Sequence, residues 1–174
     1  VLVETRNVGI GQVIENERIL ELPLNGRQVT DLITLAGSSV LMQQNTLGGN
    51  PGSVKISIAG GVDFGVAYTL DGAMHNNWFD NGNLPFPFPD ALQEFKLETS
   101  GLTAQNGGHS GGSVSSVTKS GTNQPHGDLF EFVRNDLFNA TSYFAAVGAD
   151  GKKAQSSLKR NQLGGTLGGL MVKN

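Results

Sequence analysis

Gly111-Gly112-Ser113-Val114-Ser115-Ser116-Val117-Thr118-Lys119-Ser120-Gly121-Thr122-Asn123 is where the 174-residue chain changes character. The stretch reads as a Ser/Thr-rich strand carrying Val114 and Val117. It leaves a glycine-rich turn (Gly107 to Gly112) and stops at Lys119-Ser120-Gly121. Before it the chain alternates short strands with short helices. After it the chain turns extended and aromatic-rich.

Working backwards, Phe95, Leu97 and Thr99 alternate with Lys96 and Glu98, the period of a half-buried strand. Pro89 to Glu94 suggests a helix of one or two turns, with Asp90 near its positive N-terminal end. From Met74 to Pro89 the chain is irregular, because Pro85, Pro87 and Pro89 rule out helix and central strand alike. Ala67 to Leu70 is a strand closed by Asp71-Gly72, and Val54, Ile56 and Ile58 alternate with Lys55 and Ser57 in another. Met42 to Ser53 reads as a polar loop. Val29, Leu32, Ile33 and Leu35 fall at helical spacing between Arg27 and Ala36, and Gly37 stops that helix. Asn25-Gly26 signals a turn, Pro23 ends any helix at Leu22, and Val1 to Ile14 suggests a short strand or two. The class expected for residues 1–121 is α+β, a small mixed sheet with two short helices.

Working forwards, Asp128 to Arg134 is extended, Phe138 to Gly148 is an apolar patch of open conformation, and Gly148 to Ser157 is a polar loop. Leu163, Gly165, Leu167, Gly169 and Met171 then share one face of a strand, with Gln162, Gly164, Thr166 and Gly168 on the other. That two-residue period is the signature of a membrane β-barrel strand. A soluble antiparallel sheet produces the same alternation.

Composition narrows the function classes. Glycine is abundant (25 residues), charged residues make up 16% and apolar residues 37%. The net charge of −3 and the scattered Lys and Arg lack the basic footprint of a nucleic-acid binder. Without cysteine there is neither a disulfide framework nor a thiolate zinc site. No apolar run approaches the ~20 residues of a membrane-spanning helix. Val1 opens in mid-pattern with no basic start or cleavage site, and Met171-Val172-Lys173-Asn174 reads as an unfinished strand. Both ends are therefore expected to continue in a longer protein.

Four segments, in order, resemble the plug region of TonB-dependent outer-membrane receptors, and most of all the Oar-like branch with its carboxypeptidase-regulatory-like domain. They are Leu22-Pro23-Leu24-Asn25-Gly26-Arg27, Tyr68-Thr69-Leu70-Asp71-Gly72, Asp90-Ala91-Leu92-Gln93-Glu94-Phe95-Lys96, and Gly111 to Asn123 with His126-Gly127. Beyond them, Leu129 to Asp136 and Arg160 to Gly169 resemble the first two barrel strands. One departure is Ala59-Gly60-Gly61, where many plugs carry an arginine-glycine pair. The resemblance implies a plug over residues 1–121 and a truncated outer-membrane β-barrel from 122 to 174. It implies gated, energised uptake of an unidentified extracellular ligand. The implied partners are the chain's own barrel, the TonB complex through a segment upstream of Val1, and outer-membrane lipid, with no nucleic acid and no cofactor.

Candidate chemistry is sparse. Gly108-His109-Ser110-Gly111-Gly112 fits the G-x-S-x-G pattern, but a nucleophile elbow needs a strand before it and a helix after it, and here a strand follows. His75, His109 and His126 are too scattered for a helical metal pair, and Asp80-Asn81-Gly82-Asn83 lacks the ligand alternation of a calcium loop. No catalytic residue and no metal ligand is assigned, and the chain is not expected to be an enzyme. The best binding candidate is Met74 to Pro89, where Asn76, Asn77, Trp78, Phe79, Asp80, Phe86 and Phe88 combine apolar anchors with amides. The same aromatics would also serve to pack a plug against a barrel wall. The turn bearing Asp63 and Phe64 makes a second candidate apex under the resemblance. The alternatives are a free-standing soluble α+β binding module and, more remotely, a serine hydrolase using Ser110.

Overall fold

The computed structural model describes residues 9–22, 24, 26–35, 37–44, 53–102, 104, 109–148, 151–154 and 157–169. The start of the first expected strand (1–8), Pro23 and Asn25 of the first motif, Ala36, Gly107-Gly108 and Met171 to Asn174 lie outside these residues. The chain divides into two compact units, residues 1–120 and 121–174.

The first unit holds strands β1 (Ile10–Glu15), β2 (Ser39–Gln44), β3 (Val54–Ile58), β4 (Ala67–Leu70), β5 (Ala73–Met74), β6 (Leu92–Ser100) and β7 (Ser113–Thr118). Five of them form a mixed sheet in the order β1-β6-β7-β4-β5, parallel only between β4 and β7, while β2 and β3 form an antiparallel pair. Its apolar core comes from alternate strand positions. Val54, Ile56 and Ile58 of β3 are buried while Lys55 and Ser57 are half-buried, and Phe95 and Leu97 of β6 are buried with Val114 of β7.

The helices are shorter than the sequence suggests. The segment expected as a helix from Arg27 is a 3-10 helix over Val29–Leu35 that buries Val29, Leu32 and Ile33. The helix expected from Pro89 is a single 3-10 turn, Pro89–Ala91, since β6 begins at Leu92. Burial of Leu92, Phe95 and Leu97, worth about 1.5–3 kcal/mol each, favours the strand over a second turn. A helix not visible in the sequence, α1 (Asn16–Glu21), buries Ile19 and ties Asn16 Nδ2 to the Leu92 carbonyl at 2.6 Å. Six residues do not hold a helix in water alone, so α1 depends on that docking. It ends at Leu22, whose extended backbone (φ −72, ψ 135) is what the residue before a proline adopts. The loop expected from Met42 begins later, because β2 runs to Gln44; residues 45–52 lie outside the described set.

Two motif residues acquire structural roles here. Asp71 (φ 50) and Gly72 (φ 79) turn β4 into β5. The Asp71 carboxylate accepts hydrogen bonds from the Thr118 backbone N–H (2.8 Å) and hydroxyl (2.9 Å), closing the end of the parallel β4–β7 pair. At Gly112 a Cβ would stand 2.6 Å from the Glu98 carbonyl oxygen and 2.8 Å from Ile58 Cγ2, so only glycine lets these strands meet.

The second unit pairs β8 (His126–Asn135) with β9 (Lys159–Gly168) in unbroken antiparallel register, from His126 opposite Gly168 to Asn135 opposite Lys159. One face carries Leu129, Glu131 and Val133 against Gly165, Leu163 and Asn161, with Leu167 opposite Gly127; Leu129, Leu163 and Leu167 are at least 79% exposed. The other face carries Phe130 and Phe132 with Gln162, Gly164 and Thr166, and the Phe130 ring lies over Gly164. The apolar patch from Phe138 is a connection rather than a strand. It starts with a 3-10 turn (Asp136–Phe138) and holds a short antiparallel bridge, Val147 to Lys153, with the Lys153 ammonium 4.8 Å from the Tyr143 ring centre. Among the described residues no helix is long and apolar enough to cross a membrane, which leaves crossing by strands open.

A candidate ligand-docking apex

Two loops meet at one end of the sheet in the first unit. The first follows β3. Ala59 (φ 50) and Gly60 (φ 78) take the positive φ angles of a tight turn, and the Gly61 N–H donates to the Ile58 carbonyl at 2.9 Å. Next, Gly65 N–H donates to the Val62 carbonyl at 3.0 Å, which puts Asp63 and Phe64 at the tip of a second turn. That turn is seated on Ser110 and Gly111, since a Cβ on Gly61 would lie 2.7 Å from the Ser110 carbonyl oxygen.

The second loop, residues 75–84, is held mainly by asparagine side chains. Asn76 Oδ1 accepts from the Tyr68 N–H (2.8 Å), and its Nδ2 donates to the Val66 (2.9 Å) and Asn81 (3.0 Å) carbonyls. Asn83 Oδ1 accepts from the Val54 N–H at 3.0 Å, tying the loop to β3. Asn77 N–H donates to the Gly82 carbonyl at 2.7 Å, and Asn77 Oδ1 and Asp80 Oδ1 accept from the Phe79 and Gly82 N–H groups, both at 3.1 Å. Asn81 sits at φ 52, a conformation asparagine tolerates better than most residues, and its Nδ2 donates to the Phe64 carbonyl at 2.5 Å. That last bond sets the two loops side by side.

The sequence-expected site residues therefore separate into two groups. Trp78 (102% exposed), Phe79 (84%) and Phe64 (56%) project into solvent with Asp63 and Asp80 beside them in sequence. Asn76 is 5% exposed and fully occupied by the scaffold, so it positions the loop rather than facing a ligand. Asn77 is half-buried. Phe86 packs on the core, its ring centre 4.8 Å from His75 and 6.2 Å from Tyr68, and does not join the tip. Phe88 is 37% exposed and precedes the turn at Pro89. Sequence reading passed over Asn81 and Asn83 as binding-loop scaffold; their signal was an Asp-Asn-Gly-Asn run, dense in residues that form side-chain turns.

A second polar feature links two motifs. Arg27 Nη2 meets Asp90 Oδ2 at 2.6 Å, with both side chains 12% exposed. Arg27 (φ 59) follows Gly26 (φ 74) in the turn that ends the first motif, and Asp90 opens the third. The corner at Pro89–Leu92 thus holds Arg27 and Asn16, and it accepts the Lys119 N–H on the Ala91 carbonyl at 2.9 Å.

Conventional chemistry finds little to work with. Ser110 enters β7 rather than a helix, so the elbow geometry is absent. His75 Nε2 lies 3.1 Å from the Pro85 carbonyl oxygen, and His126 Nδ1 lies near Thr122 and Gln124. Among the described residues no group of three or more His, Asp or Glu side chains is placed to hold a metal ion. Tyr68, 1% exposed, has its hydroxyl pKa pushed well above the usual value by burial.

Comparison with known proteins gives a consistent fold. Residues 117–174 match the family model described as an outer membrane beta barrel domain. The siderophore receptor PirA from Acinetobacter baumannii superposes with a TM-score of 0.66 at 18% identity, over 100% of this chain and 24% of that one. A variant of the ferric enterobactin receptor PfeA from Pseudomonas aeruginosa gives 0.65 at 16% identity, over 97% and 23%. The outer membrane transporter YddB from Escherichia coli gives 0.59 at 19% identity, over 87% and 23%. The chain spans about a quarter of the length of these structures. No curated protein matches it by sequence. These neighbours are receptors and transporters rather than enzymes. The fold is similar to the plug and barrel region of TonB-dependent receptors, and the match of residues 117–174 to an outer membrane beta barrel domain supports a place at the outer membrane.

Proposed function

We propose that residues 1–121 are the plug of a TonB-dependent outer-membrane receptor, that the chain enters the barrel wall from residue 122, and that the plug gates energised uptake of an extracellular ligand. The observation that carries this reading is the aromatic apex. Trp78, Phe79 and Phe64 stand exposed at one end of a plug-like sheet, on loops whose every turn is fixed by hydrogen bonds. A hydrogen-bonded frame presenting exposed apolar anchors is the form of a docking surface.

The second unit supports the same reading. Each strand has 10 residues, within the ~9–11 that cross a bilayer when tilted. Leu129, Leu163 and Leu167 suit lipid, whereas a free-standing soluble module would leave them in water. A two-stranded ribbon cannot sit in lipid with open edges, so the working receptor needs further strands to close the barrel. The implied partners are that barrel, the surrounding lipid, and a TonB complex acting through a segment upstream of Val1. The motif at Leu22 to Arg27 favours the Oar-like branch.

The test is conductance. In planar bilayers the complete receptor is expected to stay closed, and a form lacking residues 1–120 to conduct as an open pore. Equal conductance of the two forms would refute the plug assignment.

A further inference from the structure

We infer that the connection between β8 and β9 is a membrane anchor that lies on phosphate-bearing lipid headgroups beside the barrel. The inference rests on the barrel reading of the second unit and adds what covers a segment to which that reading gives no partner.

The connection is held by hydrogen bonds yet leaves its apolar side chains uncovered. The Asp136 N–H donates to the Leu158 carbonyl at 2.8 Å and closes its base. The Gly148 and Ala154 N–H groups donate to the Lys152 and Ala146 carbonyls, both at 2.8 Å, and fold it back on itself. On that frame Leu137, Phe138, Tyr143 and Phe144 are each at least 81% exposed, and Val147 is exposed as well. Tyr143 and Phe144 meet edge-on with ring centres 5.3 Å apart. Lys153 Nζ donates to the Tyr143 carbonyl at 2.9 Å and stands over the same ring, so cation and aromatic are presented together. Apolar side chains exposed in such density mark a surface that something covers.

Continuity and charge both point to lipid as the cover. The connection leaves the ribbon whose Leu129, Leu163 and Leu167 face suits lipid, and β8 ends at Asn135. At about 3.3 Å per residue, Phe138 lies within roughly 10 Å of that strand end. The aromatics therefore start where a membrane strand passes from hydrocarbon to headgroups, the level at which barrels carry aromatic girdles. Residues 134–160 hold five cations (Arg134, Lys152, Lys153, Lys159, Arg160) against Asp136 and Asp150, a net of +3 in a chain of net −3. Residues 120–133 and 161–172 hold no lysine or arginine, so the positive charge gathers at one end of the ribbon. There Arg134 stands opposite Arg160, and Lys159 is in the next register position. Anionic headgroups attract such a cluster, whereas a second copy of this chain would bring the same positive charge against it. Tyrosine and lysine, with apolar bodies and polar tips, suit that boundary.

The experiment places a nitrobenzoxadiazole dye on Ser142→Cys, beside Tyr143, in a complete receptor carrying no other cysteine. The receptor is reconstituted in nanodiscs of phosphatidylcholine, alone or mixed with phosphatidylglycerol. Lipids with a nitroxide at headgroup level quench a dye lying on the bilayer, and acrylamide quenches a dye in water. The expected result is nitroxide quenching in both discs, at least about twofold stronger with phosphatidylglycerol and weakened by salt. Lys152→Gln/Lys153→Gln should remove that preference, and Phe138→Ser/Tyr143→Ser/Phe144→Ser the quenching itself, with unchanged melting temperatures verifying the fold. A dye reached by acrylamide and not by the nitroxides would leave the connection in water. A dye reached by neither would put protein over it, the rest of the barrel or a second copy. Either result, equal quenching in the two discs, or unaffected variants would overturn the inference while the barrel reading stands. A protein that enters neither disc would overturn the barrel reading and the inference with it.

Discussion

The Arg27–Asp90 pair makes a demanding prediction because its surroundings fix its strength. Exposed ion pairs contribute about 0–1 kcal/mol, while removing one partner of a buried pair costs about 3–5 kcal/mol. With both side chains 12% exposed and a contact of 2.6 Å, this pair lies between those limits, and a coupling of about 2 kcal/mol is expected. Asp90→Asn should therefore destabilise the chain by about 2 kcal/mol, because it leaves the guanidinium largely desolvated without its counter-charge. Arg27→Met should cost about the same, and the double variant should be far from additive. The backbone supplies an internal control. Arg27 sits at φ 59, which costs a non-glycine residue roughly 1 kcal/mol. Arg27→Gly should thus be about 1 kcal/mol less damaging than Arg27→Met, although both abolish the pair. Urea unfolding followed by far-ultraviolet circular dichroism gives all four values. A coupling below about 0.5 kcal/mol would mean that apolar packing alone holds the Pro89–Leu92 corner.

Three further predictions follow from single contacts. The Tyr68 hydroxyl is buried with no hydrogen-bond partner among the described residues, so Tyr68→Phe should be neutral or stabilising by about 1 kcal/mol in urea unfolding near pH 7. Burial raises this phenol's pKa in the folded state, so the unfolded chain releases the proton first. Stability should be intact below about pH 10 and fall above it by up to about 1.4 kcal/mol per pH unit, a slope that Tyr68→Phe should lack. Gly112→Ala should cost about 3 kcal/mol or prevent folding, since its methyl would press on the Glu98 carbonyl and Ile58; a melting temperature like that of the unaltered chain would contradict the close strand contact. Asp71→Ala removes both acceptors for Thr118 and should cost about 2 kcal/mol, with Asp71→Asn milder because one acceptor survives; amide exchange at Thr118 should rise in the same order.

What was legible in the sequence was whatever a two-residue period could carry. β3 shows its buried and half-buried alternation in Val54 to Ile58, and β9 shows its two faces in Gln162 to Gly168. β2 stayed hidden because Val40, Leu41 and Met42 are consecutive and all at least 37% exposed, so no face stands out. Helix α1 was equally silent, since six residues with one buried side chain carry no period. At the apex the aromatics were legible as oddities of composition, but the work of Asn76, Asn81 and Asn83 was not. Their partners are main-chain groups up to 29 residues away, and amide side chains in a polar loop look alike until the loop closes. The Arg27–Asp90 contact spans 63 residues and joins two motifs that the sequence could only set in order.

The plug assignment is tested most directly by which end of the first unit faces outward. Residues 1–174 contain no cysteine, so within them a single introduced cysteine reports on its own position. Phe79→Cys marks the apex and Ala73→Cys the end of β4–β5 near Asp71. In intact cells carrying the complete receptor, a membrane-impermeant maleimide is expected to label Phe79→Cys and to reach Ala73→Cys only after the outer membrane is permeabilised. Labelling of Ala73→Cys from outside with Phe79→Cys protected, or equal labelling of both, would contradict a plug that presents its aromatic apex to the exterior.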